Sequence, residues 1–338
     1  MNKLTKIGVS ALCGSLASIA SAQAGSMNVS GGANATWSSN EGETTGNPIG
    51  MASNLTFTGS GELDNGTAFT LTITHADQAG FSAAQIALTT PSMGTFTIDN
   101  SGGGIDRLDD MMPTAWEEVD GTSLGMGLQT VAGGKANGHV EWTLPTDMLP
   151  DGMTANVLWS PRAAGGKVND KAVGGDSGAM GAAWDFAITH SGLADGLYAF
   201  VGYSTIEQPN QSYDGDQIEK VIGATYAISN FTIGYQKSWS SRQTTSASGV
   251  SYYENDAYGV SFAVNDDLSI SYGIHKSDKV VNDGAGTTTE LEGNSIQMAY
   301  SMGGATIKIA ETSVDNGKYV SGTANDDDAT TIMLSLAF

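Results

Sequence analysis

Cysteine is almost missing from this chain of 338 residues: the one present, Cys13, sits inside the apolar run Ile7 to Ala20. Lys3 and Lys6 precede that run and Ala22-Gln23-Ala24 follows it, the arrangement of a secretory signal peptide with an A-x-A cleavage site. We expect residues 1–24 to be removed and residues 25–338 to form a single domain. That domain has no disulfide, no thiolate metal site and no thiol nucleophile available to it. Basic residues are scarce as well, 14 Lys and Arg against 36 Asp and Glu, for a net charge of −22. Lys3 and Lys6 belong to the leader, so the exported part is more acidic still. Such a balance argues against nucleic acid or an anionic membrane surface as partner. Proline is rare (7 residues) although glycine is abundant (45), a composition that suits strands and tight turns rather than collagen or disorder. Long apolar runs are absent after the leader, which excludes a helical membrane protein. Only a closed barrel could still cross a bilayer.

What the chain does contain is period-two alternation. Met27, Val29, Ala33, Ala35 and Trp37 share one face of the first segment, with Asn28, Ser30, Asn34 and Thr36 on the other, the signature of a strand. After a polar loop over Ser38 to Pro48, Leu55 and Phe57 lead through Asp64-Asn65-Gly66 into Phe69, Leu71 and Ile73, a strong hairpin signal. Further alternating segments are Ser82 to Thr90, Gly94 to Asp99, His139 to Leu144 and Met153 to Trp159. From Met180 the pattern becomes regular: pairs of strands meet at short turns such as Ser229-Asn230, Asn265-Asp266-Asp267 and Gly303-Gly304, and end in Ile332, Leu334, Leu336 and Phe338. Tight turns alternate with loops of roughly a dozen residues or more, the asymmetry of an outer-membrane barrel. The count is about 16 strands, an even number that puts both chain ends on the side of the short turns. Ser123 to Thr130 alternates weakly and is assigned to a loop, since counting it would make the total odd.

The apolar faces should point to lipid and the small polar faces, carrying residues such as Thr70, Thr72, Asp185, Ser269 and Ser271, should line water. About 16 strands enclose too wide a lumen to be filled with side chains. Trp37, Trp159, Tyr203 and Trp239 lie toward the long loops, and Tyr226, Phe231 and Phe338 toward the short turns, as two aromatic girdles would. The fold class is therefore all-β: a transmembrane antiparallel up-and-down β-barrel in the outer membrane.

One stretch breaks the pattern. Between Asn100 and Asn137 no strand is readable, and Asp106, Arg107, Asp109, Asp110, Glu117, Glu118 and Asp120 bring six acids and one base into a short interval. Loops this long are functional or disordered. The chain resembles the general diffusion porins of Gram-negative bacteria, especially the alphaproteobacterial type. The resemblance is carried by the glycine-rich strand Val29 to Trp37, the hairpin Gly59 to Gly66, the short strand Gly94 to Ile98 ahead of an acidic loop, and the ending Leu334-Ser335-Leu336-Ala337-Phe338. It implies that the third outer loop, Asn100 to Asn137, folds into the lumen and that the seven charged residues form the pore constriction. It implies too that Phe338 is the signal read by the outer-membrane insertion machinery, that the partners are outer-membrane lipid and small hydrophilic solutes, and that the protein is a homotrimer. In one respect the chain departs from the family: the arginines expected on the facing wall are missing, since Met27 to Ile98 contains no Lys or Arg, and Lys308 is among the few basic residues of inward parity.

An acidic ring in a pore attracts cations, so a cation-preferring channel for passive diffusion is the leading expectation, with a substrate-selective channel or a surface adhesin barrel as alternatives. No enzyme is indicated. His75, His139, His190 and His275 are scattered and none has a nucleophile motif beside it, and no nucleotide or zinc motif is present. No cofactor is expected. Asn325 to Asp328 and Asp214-Gly215-Asp216 are the candidates for Ca²⁺ in outer loops through oxygen ligands.

Overall fold

The computed structural model describes residues 25–41, 47–77, 83–122, 124–135, 138–163, 180–208 and 212–337. The leader and Phe338 lie outside this set. Sixteen antiparallel strands run in order: β1 (Ser26–Glu41), β2 (Ile49–Glu62), β3 (Ala68–Ala76), β4 (Ala83–Thr90), β5 (Gly94–Asp99), β6 (His139–Thr143), β7 (Met153–Ser160), β8 (Ala183–His190), β9 (Leu197–Ile206), β10 (Gln217–Ile228), β11 (Phe231–Ser241), β12 (Val250–Ala263), β13 (Leu268–Val281), β14 (Thr288–Met302), β15 (Ala305–Asp315) and β16 (Asp327–Ala337). Each pairs with its sequence neighbour, and β1 pairs with β16 from Gly32↔Ala337 to Glu41↔Asp328, closing the barrel. Closure leaves no strand edge, which is what lets a sheet sit in hydrocarbon with its backbone polar groups satisfied.

Directly paired residues point to the same side, so register sorts the wall into rows. One outward row runs Phe231↔Phe262↔Ile270↔Met298↔Ile309↔Ile332, with the rings of Phe231 and Phe262 stacked at 4.4 Å between centroids. The neighbouring inward row is Thr225↔Gly234↔Gly259↔Gly273↔Ser295↔Thr312↔Ala329, small in every strand. Large apolar side chains are exposed all round the outside, Ile222, Ile233 and Ile296 each by more than half. Exposed oily rows facing outward are the reverse of a soluble barrel and fit a lipid solvent.

Three expectations need correction. The first polar loop is shorter than Ser38 to Pro48, because β1 continues to Glu41, where Glu41 pairs with Asp328. Sidedness holds but length does not track it: the outer connection 282–287 is shorter than the inner connection 144–152. Asn265 shows how the inner turns stay tight, its Oδ1 accepting the N–H groups of Asp267 and Leu268 at 2.9 Å. Third, the inward face is not uniformly polar. Leu158, Phe200, Val221, Leu291 and Val314 point inward and are buried, because they have a partner inside the barrel. Residues 124–130 form no strand, as expected.

The outward row fixes a test. Ile309→Arg places a charge in the middle of the lipid face of β15 and should destabilise the barrel by about 2–4 kcal/mol, whereas Thr72→Arg on the inward face of β3 should be near neutral; unfolding in urea from lipid vesicles measures both.

Candidate functional site: the inner loop and the wall that holds it

The partner of the inward apolar residues is the segment between β5 and β6. Its hold on the wall starts from one inward row, Glu141↔Leu158↔Asp185↔Ser204↔Glu219↔Ser240, which carries a carboxylate on every second strand. All three carboxylates are buried, and all three accept backbone N–H groups from the loop. Glu141 Oε2 accepts from Gly104 at 2.6 Å, and Asp185 accepts from Ile105 at 3.3 Å and from Gly134 at 3.0 Å. Glu219 Oε2 accepts from Ala132 and Gly133 at 2.8 Å. The outgoing and returning ends of the loop are thus pinned to the same row. Asp185 also accepts from Ser204 Oγ, and Glu219 from Gln217 Nε2 and Ser240 Oγ. Burying an ionised carboxylate is costly unless its lone pairs are filled, and charge-assisted bonds to N–H groups fill them. Glycine is required at the contact: Gly104 and Gly133 have φ of +58° and +60°, and a Cβ on either would come within 2.1 Å of Asp185 Oδ2.

Beyond its base the loop follows the small inward row. Pro113 packs where a Cβ on Gly234 or Gly259 would clash, and Val119 does the same at Gly273. Ala115 N donates to Ser271 Oγ, Trp116 N and Glu117 N donate to Gln297 Oε1, and Gln297 Nε2 donates back to the Glu117 carbonyl at 2.7 Å. Thr122 Oγ1 meets Thr312 Oγ1 at 2.6 Å. Two apolar clusters complete the attachment: Ile105, Leu108, Met112 and Val131 against Phe200 and Val221, and Val119, Leu124 and Met126 against Tyr253, Leu291, Val314 and Tyr319. All these wall residues, with the anchors Glu141, Asp185 and Glu219, belong to β6 through β16 or to the connection between β15 and β16. On β1 to β5, inward residues such as Asn34, Thr36, Thr56, Thr72 and Thr97 stay partly exposed, and Asp99 is the buried exception. The open part of the lumen therefore lies between the loop and β1 to β5.

The seven charged residues separate into two groups. Asp106 is ion-paired with Lys135 and Arg107 with Glu141, so both belong to the base of the loop. The other five, Asp109, Asp110, Glu117, Glu118 and Asp120, converge with Thr114 and Trp116 around a hollow of about 470 Å³. Burial pushes Asp109 up to about 8, with the Asp110, Asp106 and Asp120 charges adding to it and the Thr130 hydroxyl, 2.7 Å away, opposing it. Burial likewise pushes Glu118 up to about 8 against the N–H of Met112, which it accepts at 2.7 Å. Asp110, Glu117 and Asp120 are raised for the same reason, with Lys308 opposing the shift at Glu117. The Lys308 ammonium stands 6.0 Å from the centroid of the Trp116 ring.

The histidines do not assemble. His75 lies on the outward row of β3, and His139 and His275 are buried on inward rows of β6 and β13. Among the described residues no group of three or more His, Cys, Asp or Glu side chains could hold a metal ion. The outer-loop acids proposed for Ca²⁺ are otherwise engaged where they have partners: Asp326 accepts the N–H of Asn316, and Asp216 the hydroxyl of Thr205.

Comparison with known proteins places the architecture. A family model described as Gram-negative porin matches residues 8–338. No curated protein matches the chain in sequence. Among solved structures it is similar to Salmonella typhi OmpF in complex with daunomycin (13% identity, TM-score 0.66, covering 92% of this chain and 97% of that one). It is also similar to the trimer form of Vibrio cholerae OmpT (12%, 0.67, 93% and 99%) and to an anion-selective porin from Comamonas acidovorans (12%, 0.65, 93% and 100%).

Asp185→Ala removes acceptors from both ends of the loop, each charge-assisted bond being worth roughly 1.5–3 kcal/mol. The expected outcome is a barrel that still folds but has a larger, noisier single-channel conductance and protease cleavage between residues 104 and 134. Asp185→Asn, which keeps one acceptor, should fall between it and the wild type.

Proposed function

For a chain that belongs to the Gram-negative porin family, we propose a cation-preferring channel for passive diffusion of small hydrophilic solutes, with the segment 104–134 as its constriction. The observation that carries this reading is the unequal lining of the open lumen. On one side stand the carboxyl groups of Asp110, Glu117 and Asp120, joined by that of Glu118 as it ionises near pH 8; on the other stands the wall of β1 to β5, with hydroxyl and carboxamide groups and no Lys or Arg from Met27 to Ile98. Of the basic groups around the loop, Arg107 is paired with Glu141 and Lys135 with Asp106, Arg242 donates to Gln217 and Gln129, and Lys308, beside Trp116 and Glu117, offsets one of the acids. A mobile cation is the species that answers the remaining charge. A general porin is a passive route, and nothing in the site calls for a chemical step.

Several further features belong to the same reading. Residues 1–24 act as the export signal and Phe338 as the signal for insertion into the outer membrane. The chain works as a homotrimer, a state supported by the trimer form recorded for Vibrio cholerae OmpT. The glycine-rich first strand and the hairpin Gly59 to Gly66 favour the alphaproteobacterial branch of the family.

Proton binding gives the test. Asp109 and Glu118 have raised affinities, so they are neutral well below pH 8 and ionise as pH rises through about 8. Their ionisation is also what opposes docking of the loop, since a carboxyl held above its usual range stabilises the folded state only while protonated. In a KCl gradient across a planar bilayer, the reversal potential should favour K⁺ and shift further toward K⁺ between pH 6 and pH 9. An anion-preferring potential contradicts the proposal. A cation preference that stays flat over that window and falls only near pH 4 contradicts the assignment to Asp109 and Glu118.

A further inference from the structure

On the outside of the barrel, at the outer ends of β10 to β12, Ile218, Lys220, Trp239, Ser241, Gln243 and Tyr252 line a hollow of about 470 Å³. Register places it on the lipid side: Lys220 pairs with Tyr203 and Trp239 and shares the outward face of β10 with Ile222 and Tyr226. From these features we infer that the hollow binds the phosphate-bearing headgroup of an anionic lipid, with Lys220 as its counter-charge. This rests on the barrel lying in a membrane, and on nothing about what the channel conducts.

Lys220 stands apart from the other lysines on the outward rows. Lys237 is held by Glu254 at 2.6 Å and Asp256 at 2.9 Å, and Lys276 by Glu292 at 2.6 Å. Lys220 is exposed and has no carboxylate partner among the described residues. In a chain of net charge −22, an outward ammonium without a counter-ion at the boundary of the apolar belt is a local exception to the overall repulsion of anions. The groups around it suit a headgroup: the Ser241 and Tyr252 hydroxyls and the Gln243 amide can donate to phosphate or glycerol oxygens. The Trp239 indole sits at the depth where aromatic rings meet lipid carbonyls, and Ile222 continues the apolar surface on which an acyl chain would lie.

Elsewhere the outer rim turns an anion away. Asp278 pairs directly with Glu290 and Glu41 with Asp328 on outward rows, and Asp315 stands opposite Glu292, whose charge Lys276 already answers. Like charges in directly opposed positions leave a negative potential there. Lys220 is the outward cation of its sector left for an anionic headgroup, since the next acid in its row, Glu254 beyond Trp239, is held by Lys237; a zwitterionic headgroup, with its own cation, gains less.

The test uses the full refolded barrel, stripped of lipid in detergent, with phosphatidylglycerol and phosphatidylcholine of identical acyl chains as probes and native mass spectrometry as readout. The wild type should retain phosphatidylglycerol about fivefold better than phosphatidylcholine, the effect of one interfacial lysine. Lys220→Gln should abolish that excess, while Lys276→Gln should leave it in place. Equal retention of the two lipids by the wild type, or an excess that survives Lys220→Gln, overturns the inference. Lys220 lies outside the lumen, so the single-channel conductance of Lys220→Gln should match the wild type. A lost lipid preference with unchanged conductance separates this site from the channel.

Discussion

The arrangement of the lumen depends on the need of three buried carboxylates for hydrogen-bond donors. Glu141, Asp185 and Glu219 lie buried in one inward row, and backbone N–H groups from residues 104, 105 and 132–134 supply the donors. Either side of the contact without the other would be unstable: a buried bare carboxylate, or a loop base with unsatisfied amides. Together they fix both ends of the loop at one height on β6, β8 and β10. The remainder of the loop then has to run along the wall, and the row Gly234, Gly259, Gly273 is where its apolar side chains fit.

That attachment decides where water can go. The loop covers the inward faces of β6 to β16 and leaves those of β1 to β5 half exposed, so on the proposed function solutes pass between acids on one side and hydroxyls and amides on the other. The two bases of the loop itself, Arg107 and Lys135, are consumed in holding it together. The sign of the lining follows from these local pairings and not from the fold. The same architecture appears in an anion-selective porin from Comamonas acidovorans at 12% identity, as expected when function resides in a site grafted on a common scaffold.

The barrel was legible in the sequence because its two signals are periodic: apolar residues on every second position, and turn residues between strands. The acidic loop was legible because it interrupts that period. Its anchors were not. Glu141 and Asp185 each stand between two large apolar residues, as in Trp184-Asp185-Phe186, and Glu219 between Ile218 and Lys220, so all three read as ordinary members of a water-lined face; what makes them special is that cross-strand register aligns them. A faint signal was available in Ile233-Gly234-Tyr235, Tyr258-Gly259-Val260 and Tyr272-Gly273-Ile274, where a glycine recurs at inward parity in successive strands. Repetition of the smallest residue on one face points to something packed against it. The division of the seven charged residues into base and hollow was also hidden, since the partners Lys135 and Glu141 lie outside the acidic interval. Connection lengths misled slightly, because a strand reaching past the membrane, like β13, shortens its outer loop to 282–287 without changing sides.

The central claim is that the open passage runs along β1 to β5 and that the loop seals the opposite wall. The chain's one cysteine, Cys13, lies in the proposed export signal, so single cysteines placed in the lumen report on this directly. In a planar bilayer, Thr72→Cys should react rapidly with a small cationic thiol reagent, and the reaction should block most of the current. Ser238→Cys, on the covered face of β11, should be unreactive and leave the current unchanged. Rapid reaction at position 238, or none at position 72, would contradict this placement of the loop and of the pore.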